Sequence, residues 1–499
     1  MLNRIFLRLP GLVLLLTATL CSVASAADLY IGTSSVDITP ALPAALDGQM
    51  NVRIATVAET PLTANIIVMD SKENGKAGNS TIMISCDLVT IPTELRDLIR
   101  QSVARKIQGL DTRRIIINAT HTHTAAVVRD GWYTLPKEVT QVKEYQQIIA
   151  EKIGGGVLKA WTGRKPGSVS WGLGYAKVAY NRRAVYRDGS ARMYGSTAIP
   201  EFRGIEGFED QSINTLFFSD ASGKLIGACI NIASPAQVAE SRSTINADYW
   251  HPVRIALQKV YGKDFCVLGW IGAAGDQTPR PMYSHAAEVR MMELIKGTRK
   301  ADAEYKKADL SSDDYMNEVA RRVVQSVNET YMVVKNERHK SPLINHIIED
   351  IDLPARIVTV EEYESARKMR DEDKNDAVKA IDLSRRIAWN EEVMTRFENQ
   401  KKNPRPVYPA EVHVVRIGDI VLCTNPFELF TEFGIQMKSR SKALQTFVLQ
   451  LAGPGTYVPT KEAVQGGHYS AIIQSNRVGP EGGQLLTDHT VQMINKLWP

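Results

Sequence analysis

The chain has 499 residues, with 60 Lys and Arg against 55 Asp and Glu, a formal charge of +5 and 44% hydrophobic residues. A balance this close to neutral, with no basic tract and no basic stripe interleaved with aromatics, argues for no nucleic-acid partner, and none is expected. The length suits one large core or two medium ones.

In chain order the first element is a leader. Arg4 and Arg8 precede an apolar stretch from Leu9 to Val23, and Ala24-Ser25-Ala26 has the small-x-small form of a cleavage site. Residues 1–26 are therefore expected to be a signal peptide cut after Ala26, giving a periplasmic or secreted protein. Pro10 and Gly11 interrupt the stretch, which is short for a bilayer span, and no later segment is apolar enough to be an integral membrane segment. Ala18-Thr19-Leu20 before Cys21 is a poor lipoprotein box, so soluble export is expected.

From Leu29 to Asp276, short β-rich runs recur between turn signals. They are Ala64 to Met69, Thr81 to Ser85, Arg114 to Ala119, Ser168 to Trp171, Thr215 to Phe218, Ile226 to Ile232 and Phe265 to Ile271. Helical periodicity interleaves over Leu95 to Lys106, Val142 to Ala160 and Pro252 to Val260, and a further helical run follows over Tyr315 to Tyr331. Thr359 to Lys402 is charge-rich and free of Gly and Pro, which predicts a surface helical hairpin, solvated rather than a binding tract. Glu411 to Leu422 returns to strand character, and Leu486 to Leu497 reads as a closing amphipathic helix. The mix predicts an α/β fold of layered sheets with flanking helices, one domain over residues 27–499. Cys86, Cys229, Cys266 and Cys423 lie in strand-like runs without C-x-x-C spacing, as buried free thiols do.

The chemistry concentrates at one strand end. The apolar run Ile115-Ile116-Ile117 leads into Asn118-Ala119-Thr120-His121-Thr122-His123-Thr124. Histidines at i and i+2 point the same way in a strand, and in a loop just beyond it they can converge on one ion or substrate. Imidazole is the commonest metal ligand and the side chain suited to proton transfer near neutral pH.

Several separated stretches complete a pattern: Val36-Asp37-Ile38-Thr39-Pro40, the Ala119 to Thr124 segment, Asn181-Arg182-Arg183, Gly272-Ala273-Ala274-Gly275-Asp276, Asn425-Pro426-Phe427-Glu428 and Tyr457-Val458-Pro459-Thr460. In order and spacing the chain resembles the neutral/alkaline non-lysosomal ceramidase family, zinc amidohydrolases that cleave the N-acyl bond of ceramide. The resemblance runs to about Leu497. It implies a ceramidase-like catalytic domain in which His121, Glu428 and Tyr457 are metal ligands. It makes His123 a substrate-contacting histidine and puts Arg182 near the scissile group. The chemistry is coherent, because zinc accepts imidazole and carboxylate donors, lowers the pKa of bound water and polarises a carbonyl.

Three departures qualify that inheritance. Where the family has a second metal histidine before a proline, this chain has Ala233-Ser234-Pro235-Ala236-Gln237, and serine is a poor zinc ligand. His251 is the candidate replacement; the competing reading makes it part of a helix opening at Pro252, with Asp248 as cap. Where the family tends to have Gly-Gly-Tyr-Glu, the chain has Gly466-Gly467-His468-Tyr469, which adds His468 and Tyr469 as polar candidates near Tyr457. Too little chain follows Tyr457 for the family's C-terminal immunoglobulin-like domain, which weakens the case for a membrane-lipid substrate.

Three functions compete. The first is an exported ceramidase-like hydrolase cleaving an amide or related bond by zinc-activated water. The second is a carbohydrate-active enzyme such as a polysaccharide lyase, with His121, His123, Arg182, Tyr457 and His468 supplying acid-base chemistry and Trp132, Tyr133, Trp250 and Tyr283 as candidate groove aromatics. The third is a non-catalytic binding protein of the envelope. The small-molecule partner is correspondingly a lipid or a saccharide. A serine nucleophile is disfavoured because Ser234 lacks the flanking glycines of a nucleophile elbow.

Overall fold

The structure is a computed structural model that describes residues 28–73, 76–299, 310, 312–375 and 377–498; the leader expected over residues 1–26 lies outside them. Its centre is an eight-stranded sheet in the order Cys266–Ile271, Leu225–Ile232, Ser212–Asp220, Lys165–Tyr175, Asp28–Asp37, Thr63–Glu73, Lys76–Cys86 and Ile115–Ala119. The two outer pairs are parallel and the inner strands antiparallel. A second sheet holds Ile344–Pro354, Val407–Ile417, Ile420–Thr424 and Gln445–Leu449, and its last pair is parallel.

Strand periodicity explains the layering. Along Thr63–Glu73, Ile66 and Val68 face a core with Leu95, Ile99, Ile149 and Ile153 of the helices Thr93–Lys106 and Val142–Gly163. The alternate residues Ile67 and Met69 face Val415, Leu422 and Phe447 of the second sheet. Elsewhere on the large sheet, Phe217 and Ile230 pack with residues of the helices Trp250–Tyr261 and Asp313–Val334. The second sheet's other face covers Phe433, Met437, Leu486 and Ile494 of the helices Thr431–Arg440 and Pro480–Lys496. The result is helix, sheet, sheet, helix, in agreement with the layered α/β expectation. Cys86, Cys229, Cys266 and Cys423 are buried free thiols.

Two expectations change. The strand character expected over Glu411 to Leu422 takes the form of a hairpin, Val407–Ile417 and Ile420–Thr424, turning at Gly418-Asp419. Gly418 has φ +59°, which glycine adopts without a Cβ penalty. The charged hairpin consists of the helices Val360–Lys374 and Ser384–Lys402 with a short helix Ala377–Asp382 between them. A Thr359/Glu362 capping box starts it and Tyr363 stacks on Phe397. It is not wholly solvated, because Arg385, Ile387, Asn390 and Val393 are buried against the body of the protein. Among the described residues no helix is long and apolar enough to cross a membrane.

Candidate functional site

Parallel strands end at one place. His121 and His123 follow Ile115–Ala119, Gln237 follows Leu225–Ile232, Gly275 follows Cys266–Ile271, Glu428 follows Ile420–Thr424 and Tyr457 follows Gln445–Leu449. The carboxyl ends of parallel strands are where open α/β sheets bind ligands. The two sheets are stitched together there by Gln450 N–H donating to Ile271 O (2.9 Å) and Ala119 N–H to Leu451 O (3.2 Å). A two-residue parallel bridge then sets Glu428 beside Tyr457 in register.

Each histidine has an assignable role in the hydrogen-bond network. His121 has φ +63°, an uncommon backbone state for a non-glycine residue, and is held there by its N–H donating to Leu88 O (2.9 Å). Its Nδ1 lies 2.7 Å from Val89 O, and a carbonyl only accepts, so Nδ1 carries the proton. Arg182 Nη1 donates to Gln237 Oε1 (3.1 Å), which fixes that amide's orientation. Gln237 Nε2 therefore donates to His123 Nε2 (2.7 Å), leaving that nitrogen as an acceptor. His121 Nε2 thus faces two acceptors, His123 Nε2 at 3.1 Å and Glu428 Oε2 at 3.4 Å. A proton on His121 Nε2, or a cation in its place, is what those two groups require.

The electrostatics follow from burial. Burial, then the charges of His121, Arg385, Arg53 and Arg182, depress His123 well below the usual imidazole range. Burial alone would raise the Glu428 carboxyl, but His121, Tyr457 and Arg182 outweigh it and hold it below its ordinary value. Burial and then the Glu428 charge push Tyr457 well up, so the phenol keeps its proton. Arg182 Nη2 donates to Gly275 O (3.0 Å) and to Tyr457 OH (3.2 Å).

The metal reading can be tested on this donor set. His121 Nε2, Glu428 and Tyr457 converge, and the Nδ1 bond to Val89 O is the outer-shell support typical of a metal-binding imidazole. Ser234 Oγ donates to Val178 O (2.7 Å), and the side chain is fully buried there. His251 lies at the start of its helix with Arg254 and Asp87 as its charge neighbours. Among the described residues no three His, Cys, Asp or Glu side chains form a group that could hold a metal ion. The set fits a three-donor position with a phenol as third member, not the four-ligand set that the resemblance implies.

The remaining candidates separate. His468 is exposed, at φ +70°, and its Nδ1 accepts from Met193 N–H (3.2 Å), outside the histidine cluster. Tyr469 is inside, edge-on to Tyr457 at 5.6 Å and tilted on Trp389 at 5.8 Å. Trp250 is core, Tyr283 is exposed, and Tyr133 is buried against Asp47. Trp132 lies under the guanidinium groups of Arg129 and Arg385. Asp248 is not the cap of its helix; it accepts from Ala239 N–H and Tyr249 N–H, and burial pushes it up to about 6.

Gln237, Arg53, Glu240, Gly48 and Arg385 went unnoticed in the sequence. Gln237 is the next polar side chain after Ser234 past a buried strand, and that is its signal in the sequence. Arg385 sits among ordinary hairpin charges and carries no local signal.

No family model matches the chain, and no curated protein matches it. Among solved structures, neutral ceramidase from Pseudomonas aeruginosa superposes with a TM-score of 0.66 at 16% identity, over 94% of this chain and 75% of that one. A ceramidase complexed with C2 matches with a TM-score of 0.66 at 15% identity, over the same shares of the two chains. At such identity the likeness establishes a shared fold, in line with the resemblance read from the sequence motifs.

Proposed function

We propose that this chain is an exported hydrolase of ceramidase-like architecture that cleaves an amide or related bond at the His121–Glu428–Tyr457 cluster. The observation that carries the reading is the convergence of those three side chains, with His121 Nε2 at 3.4 Å from Glu428 and Arg182 donating to Tyr457. Glu428, held as a carboxylate, is the base available to take a proton from an attacking water. The tetrahedral intermediate of acyl transfer carries a negative oxygen, and a buried guanidinium such as Arg182 stabilises it strongly in a medium of low dielectric. Tyr457, kept protonated, is a donor for the same oxygen or for the leaving group. His123, kept neutral and pinned by Gln237, contacts the substrate. Zinc, if bound, would be held by His121, Glu428 and Tyr457, and would supply carbonyl polarisation and a water of lowered pKa.

The test is metal content of the mature protein by plasma mass spectrometry, beside His121→Ala, followed by turnover of N-acyl amides and esters. Near-stoichiometric zinc that vanishes in the variant, with amide or ester cleavage, supports the reading. Absence of metal after zinc is supplied sinks metal activation, and absence of any cleavage sinks the hydrolase. A lyase on acidic polysaccharide would use the same His, Tyr and Arg side chains, but the ceramidase-like neighbours lend it no support.

A further inference from the structure

The charges around His123 do not balance. Asp47 is shared by Arg129 and Arg385, at 3.1 and 3.5 Å. Glu240, 3.6 Å from His123 Nδ1, is ion-paired with Arg280 (2.7 Å). Glu428 stands against both His121 and Arg182. Arg53 bonds only carbonyls, those of Asp47, His123, Glu240 and Arg242, and the carboxylates that offset its charge, Asp47 and Glu240, are already paired with other guanidinium groups. Five guanidinium groups therefore meet three carboxylates, each already shared or answering more than one positive group.

Arg385 has donors to spare. Its hydrogen bonds to described residues, to Gln49 O, Tyr133 OH and Asp47, all leave from Nη1. Its Nε–H is buried without a partner, as are those of Arg182, Arg53 and Arg280. The helix that carries Arg385 reaches the cluster one turn further on, where Trp389 is tilted on Tyr469 and Tyr469 is edge-on to Tyr457, the phenol to which Arg182 Nη2 donates. Burying this much like charge is costly unless an anion joins it.

We propose that the site takes a substrate bearing a carboxylate beside the bond to be cleaved, and that Arg385, carried in by the helical hairpin, binds that carboxylate. This rests on the hydrolase reading only in taking the cluster as the substrate site. Trp132, stacked with Arg385, and the Trp389–Tyr469 pair supply the apolar side of the same subsite. A carboxylate of this kind belongs to an N-acyl amino acid or to a uronate sugar, and the two differ in what surrounds it.

Calorimetry on the full mature protein separates these without requiring turnover. The probes are N-hexanoylglycine against N-hexanoylglycinamide, and methyl glucuronide against methyl glucoside, each with wild type, Arg385→Gln and Arg385→Lys. In at least one pair the acid should bind about 10- to 100-fold tighter than its neutral partner, the range of a charge-assisted hydrogen bond. Arg385→Gln should erase that preference and Arg385→Lys should keep part of it. Which pair discriminates identifies the source of the carboxylate. The proposal falls if neutral partners bind equally well, if no acid binds by about 10 mM, or if a folded Arg385→Gln keeps the preference. Should Arg385→Gln fail to fold, the wild-type comparison and Arg385→Lys decide. Acid binding without hydrolysis of any amide or ester would uphold the anion site and remove the hydrolase reading.

Discussion

Gly48→Ala offers a sharp probe of how His123 is held. Gly48 has φ +99°, and a Cβ added there would lie 2.4 Å from His123 Cγ and 2.8 Å from its Nδ1. Carbon contacts settle at about 3.5–4.0 Å, so the ring must retreat by roughly 1 Å. Its bonds to Gln237 (2.7 Å) and His121 (3.1 Å) would then stretch beyond hydrogen-bonding range. Losing two such bonds costs about 2 kcal/mol, and a left-handed alanine adds about 1–2 kcal/mol. Urea unfolding should therefore show a loss of about 3 kcal/mol, and a catalytic group displaced by that distance should cost about 100-fold in turnover. The control is Gly155→Ala in the helix Val142–Gly163, where an added Cβ meets nothing within 4 Å. That change should stabilise by about 0.5–1 kcal/mol. Gly48→Ala matching the control in both stability and turnover would refute the placement of His123 against Gly48.

Three further outcomes are expected. Ser234→His should not raise zinc content, because Ser234 Oγ is fully buried and bonded to Val178 O; overpacking should instead destabilise by about 1–3 kcal/mol in thermal unfolding. Stoichiometric zinc gained by that variant would show that the position still faces the metal. Asp87→Asn should cost about 3–5 kcal/mol in urea unfolding, since Asp87 binds both terminal nitrogens of buried Arg254 at 2.6 and 2.9 Å, and a loss below 1 kcal/mol would contradict this. For pH, burial and then the neighbouring His413 hold His346 down at about 2, against about 6.5 for an unfolded histidine. Its folded pKa is depressed, so its stabilising contribution is complete above about pH 6.5 and falls away as pH drops towards 2. Between pH 6.5 and 4.5 wild type should lose stability on the order of 2–3 kcal/mol through this group, and His346→Gln should flatten that slope in unfolding measured at each pH.

The chain determines by itself what depends on neighbours along it. Alternation of Ile66 and Val68 with Ile67 and Met69 announces a strand buried on both faces, and the Gly-free charged run from Thr359 announces helices. The His-x-His at the end of Ile115–Ala119 marks the candidate site, because two imidazoles one residue apart just past a buried strand can converge on one point. Folding decides what depends on elements far apart. Glu428 meets Tyr457 through a two-residue parallel bridge, and Gln237 reaches His123 across 114 residues of sequence. Arg385 is one charge among many in its helix until Asp47 and Tyr133, more than 250 residues earlier in the chain, come to lie beside it. Periodicity is a local property of backbone geometry, whereas a buried charge is defined by everything packed around it. For that reason the layers and the first two histidines can be read from the residues in order, and the partners that set their protonation can be read only from the fold.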